Sequence, residues 1–224
     1  MREAIGQVLS LGIGVAVSPI PIIAVVLMLA TPRARANGPA FVLGWIVGLA
    51  IVGTVVLLVS GGADASSDGE PATWVGVLKL VLGVLLLLVG VHGWRGRPRR
   101  GDHEAALPTW MQTIDAFGAP KALAMGVLLS GVNPKNLLLT VAAAAAIAQT
   151  GIDTGEQTIA LAVFVLVGTV SVAAPVVVYF ALGSRSREML DGMKAWMAAN
   201  NAAIMAVLML VIGTKLVGDG IAGL

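Results

Sequence analysis

The sequence contains no cysteine, and this absence excludes several kinds of chemistry. A chain without thiols has no disulfide, no cysteine-bound zinc, no iron–sulfur cluster and no thiol relay. The two histidines, His92 and His103, are too few to predict a metal site. The phosphate-binding loop G-x-x-x-x-G-K-[ST] is missing, which excludes an ATP site of that type. The formal net charge of +2 gives no indication of nucleic-acid binding.

Charged residues are scarce and unevenly placed. They make up 12% of the chain, about half of the roughly 25% that is usual in soluble domains, while 58% of the residues are hydrophobic. All acidic residues fall outside the long apolar runs: Glu3, Asp64, Asp68, Glu70, Asp102, Glu104, Asp115, Asp153, Glu156, Glu188, Asp191 and Asp219. Because no carboxylate pair, Ser–His arrangement or set of metal ligands converges within those runs, we expect no enzymatic activity, no cofactor and no metal.

Six apolar runs of about 20 residues or more predict an all-α membrane protein with six transmembrane helices. The runs cover residues 4–30, 38–60, 73–92, 120–148, 157–182 and 200–218. Turn-forming Gly, Pro, Asn and Asp residues lie in the connections between them. The first run is too long for a signal peptide and has no small-residue cleavage site, so we expect it to be retained as a span.

Basic residues predict the orientation of these helices, because Lys and Arg concentrate in cytoplasmic loops. The first, third and fifth connections contain ten of the fourteen basic residues: Arg33, Arg35, Arg95, Arg97, Arg99, Arg100, Lys121, Arg185, Arg187 and Lys194. The second and fourth connections contain only acidic charges. We therefore predict a multi-pass protein of the inner (plasma) membrane with both termini outside the cytoplasm. Recruitment of anionic lipid or of a partner by the basic loops is an open alternative.

Two segments beside the spans carry apolar residues at helical spacing. One comprises Trp110, Met111, Ile114 and Phe117, and the other comprises Met189, Leu190, Met193, Trp196 and Met197. Such stripes let a helix lie in the headgroup layer of the membrane. They are equally typical of helices that cap the ends of a bundle, and both alternatives are open.

Three spans on each side of the central connection place the two halves in opposite orientations. This predicts a 3+3 inverted repeat, with residues 1–92 as the first unit, 93–119 as a cytoplasmic linker with an interfacial helix, and 120–224 as the second unit. A shift of 115 residues places Ser18-Pro19 on Asn133-Pro134, each near the middle of its span. The first and fourth helices are therefore both predicted to be broken by proline.

Paired proline breaks in two halves of a transporter point to a central substrate site. Each proline removes a backbone donor, and the carbonyl groups that this leaves free need other partners. The candidate substrate-binding residues are those at the two breaks: Ser18, Pro19, Pro21, Asn133, Pro134, Lys135 and Asn136. Ser18 and Asn133 each precede a proline and can supply replacement hydrogen bonds. Two ordinary kinks are the open alternative.

Lys135 is the most informative of these residues, because a charge at the centre of a span costs about 2.5–3.5 kcal/mol on insertion scales. The apolar runs contain no acidic residue to pair with it. Its ammonium must therefore face water, backbone carbonyls, a neighbouring asparagine or a substrate anion. A role in substrate binding or gating and a role in fixing the fold are both open. Lys79 and Lys215 lie nearer the outer interface and are predicted to be headgroup anchors.

Four stretches of the sequence resemble the GAP family, the glycopeptidolipid- and sulfolipid-addressing proteins of mycobacteria and related actinobacteria. They are Ser-Pro-Ile-Pro at 18–21, the segment 32–41, the segment 130–139 with Asn-Pro-Lys-Asn at 133–136, and residues 200–203. The resemblance covers nearly the whole chain. It implies the LysE-type exporter superfamily, whose members have six spans in 3+3 inverted repeats, and a role in the export or surface delivery of glycolipids.

Substrates within that superfamily include amino acids, metal ions and electrons, and this sequence departs from several branches. It lacks the cysteine pair of the electron carriers, the histidine-rich features of the nickel carriers and the intramembrane acids that divalent cations require. We therefore expect a secondary transporter or exporter of a glycolipid or another organic substrate, anionic ones included, with a midplane site between the repeats. The expected partners are a membrane lipid or lipid-like substrate and lipid-export machinery, without nucleic acid, and a homo-oligomer is open. The alternative is a non-transporting accessory or scaffold protein of a larger lipid-export system.

Overall fold

The computed structural model describes residues 1–62, 66–67, 70–71, 73–95 and 109–224. Residues 96–108 of the predicted linker, with Arg97, Arg99, Arg100 and His103, lie outside the described residues. The helices are α1 (Arg2–Ala16), α2 (Pro19–Leu29), α3 (Ala34–Gly62), α4 (Thr73–Arg95), α5 (Ala119–Val127), α6 (Pro134–Gln149), α7 (Thr154–Leu182) and α8 (Ser186–Ala222). The shorter elements are the paired strands β1 (Ser66–Ser67) and β2 (Glu70–Pro71), the 3-10 segments Thr109–Ala116 and Gly183–Arg185, and the π segment Leu128–Val132.

Long apolar helices dominate the described residues. Helices α3, α4, α7 and α8 are each long and apolar enough to cross a membrane. Two bent pairs of helices are also long and apolar enough when each pair is taken together. In the first pair α1 meets α2 at 54°, and in the second pair α5 with its π segment meets α6 at 63°. Within the described residues, four helices could thus span a membrane, and there are up to six candidate spans if each bent pair counts as one. The chain is an all-α, multi-pass membrane protein, as the sequence predicts.

Proline marks both bends, where each proline begins the second helix of its pair. Pro19 is the first residue of α2 and Pro134 is the first residue of α6. The first position of a helix suits proline because its backbone nitrogen needs no partner there and its φ angle is already helical. The predicted breaks in the first and fourth spans are therefore present as two separate helices with a sharp turn between them.

Two predicted boundaries are wrong. Helix α3 begins at Ala34, four residues before the predicted start at residue 38. Helix α8 is continuous from Ser186 to Ala222, so most of the predicted connection 183–199 is helical. The segment looked like a connection because it is polar, but it contains no proline and is rich in Met and Ala, which are strong helix formers.

The two apolar stripes have different environments. Met111, Ile114 and Phe117 are buried in the core, which favours the capping alternative for the first stripe. The side chain of Trp110 lies outside the described residues. The second stripe lies on the first turns of α8, where Leu190 is buried and Trp196 is exposed. Its residues are therefore divided between the core and the outer surface.

Small residues allow the helices to approach closely. Helix α4 packs along α8, and a Cβ on Gly83 would lie 2.8 Å from the carbonyl oxygen of Gly213. Helix α3 packs on α5, where Gly44 faces the backbone of Leu123. This confirms the close contact expected of glycines in membrane helices. Other contacts in the bundle join α1 with α6 and α7, α2 with α7 and α8, α3 with α6 and α7, and α4 with α6.

Candidate functional site

The first break consists of Val17 and Ser18, the two residues that leave helical geometry between α1 and α2. Pro19 and Pro21 follow, and their nitrogens cannot donate, so the hydrogen-bond ladder of α1 does not continue into α2. Carbonyl oxygens at the end of α1 therefore need donors from elsewhere. Ser18 supplies one of them, because its Oγ lies 2.6 Å from the carbonyl oxygen of Val15.

The second break consists of the π segment and Asn133, between α5 and α6. Asn133 caps α6, because its Oδ1 accepts a hydrogen bond from the backbone nitrogen of Lys135 at 3.1 Å. Asn136 reaches back into the π segment, where its Nδ2 donates to the carbonyl oxygen of Leu129 at 2.9 Å. The second break thus obtains its hydrogen-bond partners from its own segment of the chain.

Lys135 joins the two breaks. Its ammonium donates to the carbonyl oxygen of Gly14 at 2.8 Å, to the carbonyl oxygen of Val17 at 2.9 Å and to Oγ of Ser18 at 2.6 Å. An ammonium has three protons, so all of its donors are used. The positive charge lies at the C-terminal end of α1, where the helix dipole favours a cation. With only 4% of its surface exposed, Lys135 is a buried cap of the first break.

A second contact crosses the breaks through Ser18 and Asn136. Oγ of Ser18 lies 3.2 Å from Oδ1 of Asn136 as well as 2.6 Å from the carbonyl oxygen of Val15. One hydroxyl has a single proton, so it donates to one of these two acceptors at a time. Ser18 therefore connects the end of α1, the ammonium of Lys135 and the amide of Asn136 in one buried network.

The structure brings together three of the seven predicted site residues: Ser18, Lys135 and Asn136. Asn133 is placed differently, because its side chain caps its own helix and makes no described contact with the first break. The three prolines begin or follow the breaks, with Pro19 and Pro21 buried and Pro134 exposed. The role that the sequence predicts for these residues in substrate binding remains a prediction.

Two hydroxyl groups belong to the same network and were missed in the sequence. Ser171 of α7 donates its Oγ proton to the carbonyl oxygen of Ala16, the last residue of α1. Thr140 of α6 donates to the carbonyl oxygen of Asn136 at 2.8 Å. The available signal was a hydroxyl residue within a largely apolar run, a feature that Ser130 and Thr169 share. That signal alone does not identify the neighbouring helix, because hydroxyl groups in membrane helices also bond within their own helix.

The polar network is closed in this conformation. A narrow apolar crevice adjoins Lys135, formed by residues of α4, α6 and α8: Leu86, Leu139, Leu208, Met209 and Ile212. An external anion could bind the ammonium only if helices moved apart and at least one hydrogen bond from the ammonium to an oxygen of the first break were broken. The predicted midplane pocket is therefore filled here by the protein's own backbone oxygens.

A second polar cluster lies at the other end of α4, α6 and α8. Lys79 is buried, with 3% of its surface exposed, and donates to Oε1 of Gln149. Its prediction as a headgroup anchor is therefore wrong. Lys215 is partly exposed and forms an ion pair with Asp219 at 2.5 Å. The sequence did not indicate that Gln149, at the end of α6, would provide a partner for Lys79.

The polar groups of the two breaks are suited to binding by charge and hydrogen bonds. They comprise an ammonium, hydroxyls, an amide and backbone carbonyls. Within the ranges that the structure describes, no three His, Asp or Glu side chains lie together as metal ligands would.

Comparison with known families finds a match to the family described as "Sap, sulfolipid-1-addressing protein". The match runs over residues 8–222 and includes both breaks, the later part of α1 and the full length of α2 to α8. Comparison with curated proteins and with solved structures finds no match. The family match confirms the resemblance that the motifs at 18–21 and 133–136 indicate. This multi-pass membrane protein belongs to the sulfolipid-1-addressing protein family.

Proposed function

We propose that this protein is a secondary transporter that exports a glycolipid or another organic, anionic lipid-like substrate across the plasma membrane. The family implies a membrane protein involved in sulfolipid addressing, and transport is the step that we add. The observation that carries the proposal is the buried contact between two broken helices, in which Lys135 caps the end of α1. Discontinuous helices that meet at mid-membrane are the usual substrate site of secondary transporters.

A 3+3 inverted repeat is part of the proposal, and the helix contacts support it. If α1 to α4 correspond to α5 to α8, contacts in one half should have counterparts in the other, and several do, although the contact of α1 with α6 has no comparable counterpart between α5 and α2. The contact of α1 with α7 then corresponds to that of α5 with α3, and the contact of α2 with α8 corresponds to that of α6 with α4. The contact of α4 with α8 corresponds to itself, as expected across a two-fold axis. Helices α3 and α7 also have the same length of 29 residues.

In the proposed mechanism, Lys135 exchanges partners. A buried ammonium without partners is costly, so its three protons must always meet oxygen atoms. In the closed conformation these belong to Gly14, Val17 and Ser18. In the open conformation, sulfate or phosphate oxygens of the substrate replace some of them, while Asn136 and Ser18 orient the headgroup. The halves then rock about this site, and a proton or solute gradient drives the cycle.

The proposed orientation places both termini outside the cytoplasm. It is supported by the basic residues of the connections between α2 and α3 and between α7 and α8. Because the chain has no cysteine, single cysteines at positions 69 and 101 can be labelled without background. We expect a membrane-impermeant maleimide to label position 69 in intact cells and position 101 only after permeabilisation. Labelling of position 101 in intact cells would contradict this orientation.

The transport proposal is tested with purified protein in liposomes. We expect the protein alone to move a fluorescent sulfated glycolipid between leaflets, and we expect Lys135→Ala to abolish this movement. Lys121→Ala is the matched control, because Lys121 is an exposed lysine of α5 in the same half of the chain, and it should retain activity. Insertion and folding are checked by size-exclusion chromatography and circular dichroism. A properly folded wild type without activity would instead favour the accessory or scaffold function, in partnership with lipid-export machinery.

A further inference from the structure

A cavity of about 320 Å³ lies away from the breaks, where the end of α2, the start of α3, the end of α7 and the start of α8 meet. Its polar side includes Arg35, Arg187 and Asp191. Its apolar side includes Val26 and Leu29 of α2. Both connections that border the cavity are basic ones, so it lies at the basic end of the helices. The cavity size is in the range of small-molecule binding sites.

The two arginines give the cavity an unbalanced positive charge. Neither Arg35 nor Arg187 forms an ion pair with any residue that the structure describes. Asp191 is already neutralised, because its carboxylate accepts from Lys194 at 2.8 Å. Planar guanidinium groups bind sulfate and phosphate oxygens through paired hydrogen bonds, and they lose less hydration than an ammonium when they do so.

The opposite side of the cavity is suited to hydrocarbon. Phe180 also lines the cavity and has 53% of its surface exposed, and Leu190 adds a buried apolar surface. A ligand that satisfies both sides has an anionic head and an apolar body. A free sulfate ion would leave the apolar side unused, and a neutral lipid would leave both arginines without a partner.

We propose that this cavity binds the anionic headgroup of a lipid, a sulfate or phosphate ester, between Arg35 and Arg187. The inference deepens the proposed function and rests on it for the role of the cavity, which is to load the substrate before it reaches the breaks. Helix α2 connects the two places, because it begins directly after Ser18 and ends beside the cavity. Its 11 residues extend about 16 Å, roughly half the hydrocarbon thickness of a membrane.

The binding test uses the full chain in phosphatidylcholine nanodiscs. The probes are a sulfated galactosylceramide, phosphatidylglycerol and uncharged galactosylceramide, and binding is measured by native mass spectrometry. The double variant Arg35→Gln with Arg187→Gln should weaken binding of both anionic lipids by about tenfold or more, since a hydrogen bond to a charged group contributes about 1.5–3 kcal/mol. Uncharged galactosylceramide should bind weakly to all variants.

The matched control is the double variant Arg33→Gln with Arg185→Gln. It removes the same charge from the same two connections, but neither residue lines the cavity. We expect it to change binding by less than about twofold, the small effect of exposed charges that make no direct contact. Equal losses in both double variants would overturn the site, because general surface charge would then explain the binding. Competition by inorganic sulfate as strong as that by the sulfated lipid would overturn the lipid assignment.

A third variant tests the cavity without a change of charge. Ala30 lines the cavity, and Ala30→Trp should fill part of it and weaken binding of the anionic lipids. Unchanged lipid binding in this variant would contradict the cavity as the site. Failure of this inference is distinguishable from failure of the transport proposal. If the wild type moves lipid in liposomes and the double variant Arg35→Gln with Arg187→Gln still binds anionic lipid normally, the transport proposal stands and the loading site is contradicted. If that double variant loses binding but the wild type moves no lipid, the binding site stands and the transport proposal is contradicted.

Discussion

The two breaks differ in where their hydrogen-bond partners come from. The second break is satisfied locally, since Asn133 caps α6 and Asn136 donates to Leu129 within the same stretch of chain. The first break relies on side chains from elsewhere, because Lys135 of α6 and Ser171 of α7 donate to carbonyl oxygens at the end of α1. Two breaks that look alike in the sequence therefore have unequal roles.

This inequality makes the contact between the two breaks necessary for the first of them only. The second break carries the charge and is satisfied within its own segment, while carbonyl oxygens of the first break depend on donors from other helices. Their contact places a cation among carbonyl oxygens that helix geometry leaves free. A conformational change that separates the halves would disturb the first break far more than the second.

The largest expected effect is that of Lys135→Met, which keeps the length of the side chain and removes all three donors. The carbonyl oxygens of Gly14 and Val17 would lose their partners, and relief from burying a charge offsets only part of that loss. We expect a loss of about 2–4 kcal/mol in the free energy of unfolding, measured by titration with SDS in mixed micelles. Lys215→Met is the matched control and should cost at most about 1 kcal/mol, because Lys215 pairs with Asp219 at a partly exposed site. Equal costs would contradict the dependence of the first break on Lys135.

Asn136→Leu should have the next largest effect, about 2 kcal/mol, because the partly buried hydrogen bond to the carbonyl oxygen of Leu129 loses its donor. Asn200→Leu removes a chemically similar bond, from an asparagine amide to the carbonyl oxygen of Trp196, at an exposed position. Water replaces that donor, so the control should lose less than about 0.5 kcal/mol. The same unfolding titration compares the two. A similar loss for both would mean that burial at the second break does not matter.

Ser18→Ala should cost about 1.5 kcal/mol, since it removes a donor to Val15 and an acceptor of Lys135. Ser10→Ala is the control, because Ser10 of α1 makes the same bond to a carbonyl oxygen three residues earlier but has no described contact with α6. In a double-mutant cycle with Lys135→Met, Ser18→Ala should show a coupling energy of about 1 kcal/mol, and Ser10→Ala should show none. A coupling energy near zero for Ser18 would contradict the claim that its contact with Lys135 joins the two breaks energetically.

Asn133→Ala should have the smallest effect, about 1 kcal/mol, which is the usual cost of losing a helix N-cap. Asp153→Ala removes the cap of α7 and serves as the reference for an ordinary cap. Because Asn133 acts only within its own break, its coupling energy with Ser18→Ala should be near zero in the same titration. A strong coupling would show that the second break is not self-contained.

Much of this fold was predictable because a membrane restricts the chain to helices. The apolar runs gave the first five predicted spans to within about four residues, and Pro19 and Pro134 gave both breaks. The start of α8 was missed, because its first turns are polar and resemble a loop in composition, although the stripe from Met189 to Met197 already has helical spacing.

The site was only partly predictable. A lysine in an apolar run without acids must find neutral oxygen atoms, and this argument identified Lys135 and included backbone carbonyls among its partners. The same argument failed for Lys79, because the partner, Gln149, depends on how α4 and α6 pack. The cavity beside Arg35 was not predictable either, because it forms where four segments distant in the sequence meet.

The length of α8 has a mechanical consequence. At about 1.5 Å per residue its 37 residues extend about 55 Å, whereas the hydrocarbon layer is about 30 Å thick. The close glycine contacts with α4 lie in its later half, so the earlier half of α8 extends well beyond the part that is held against α4. If α8 rotated about these contacts by a few degrees, Arg187, near its other end, would move by several ångströms.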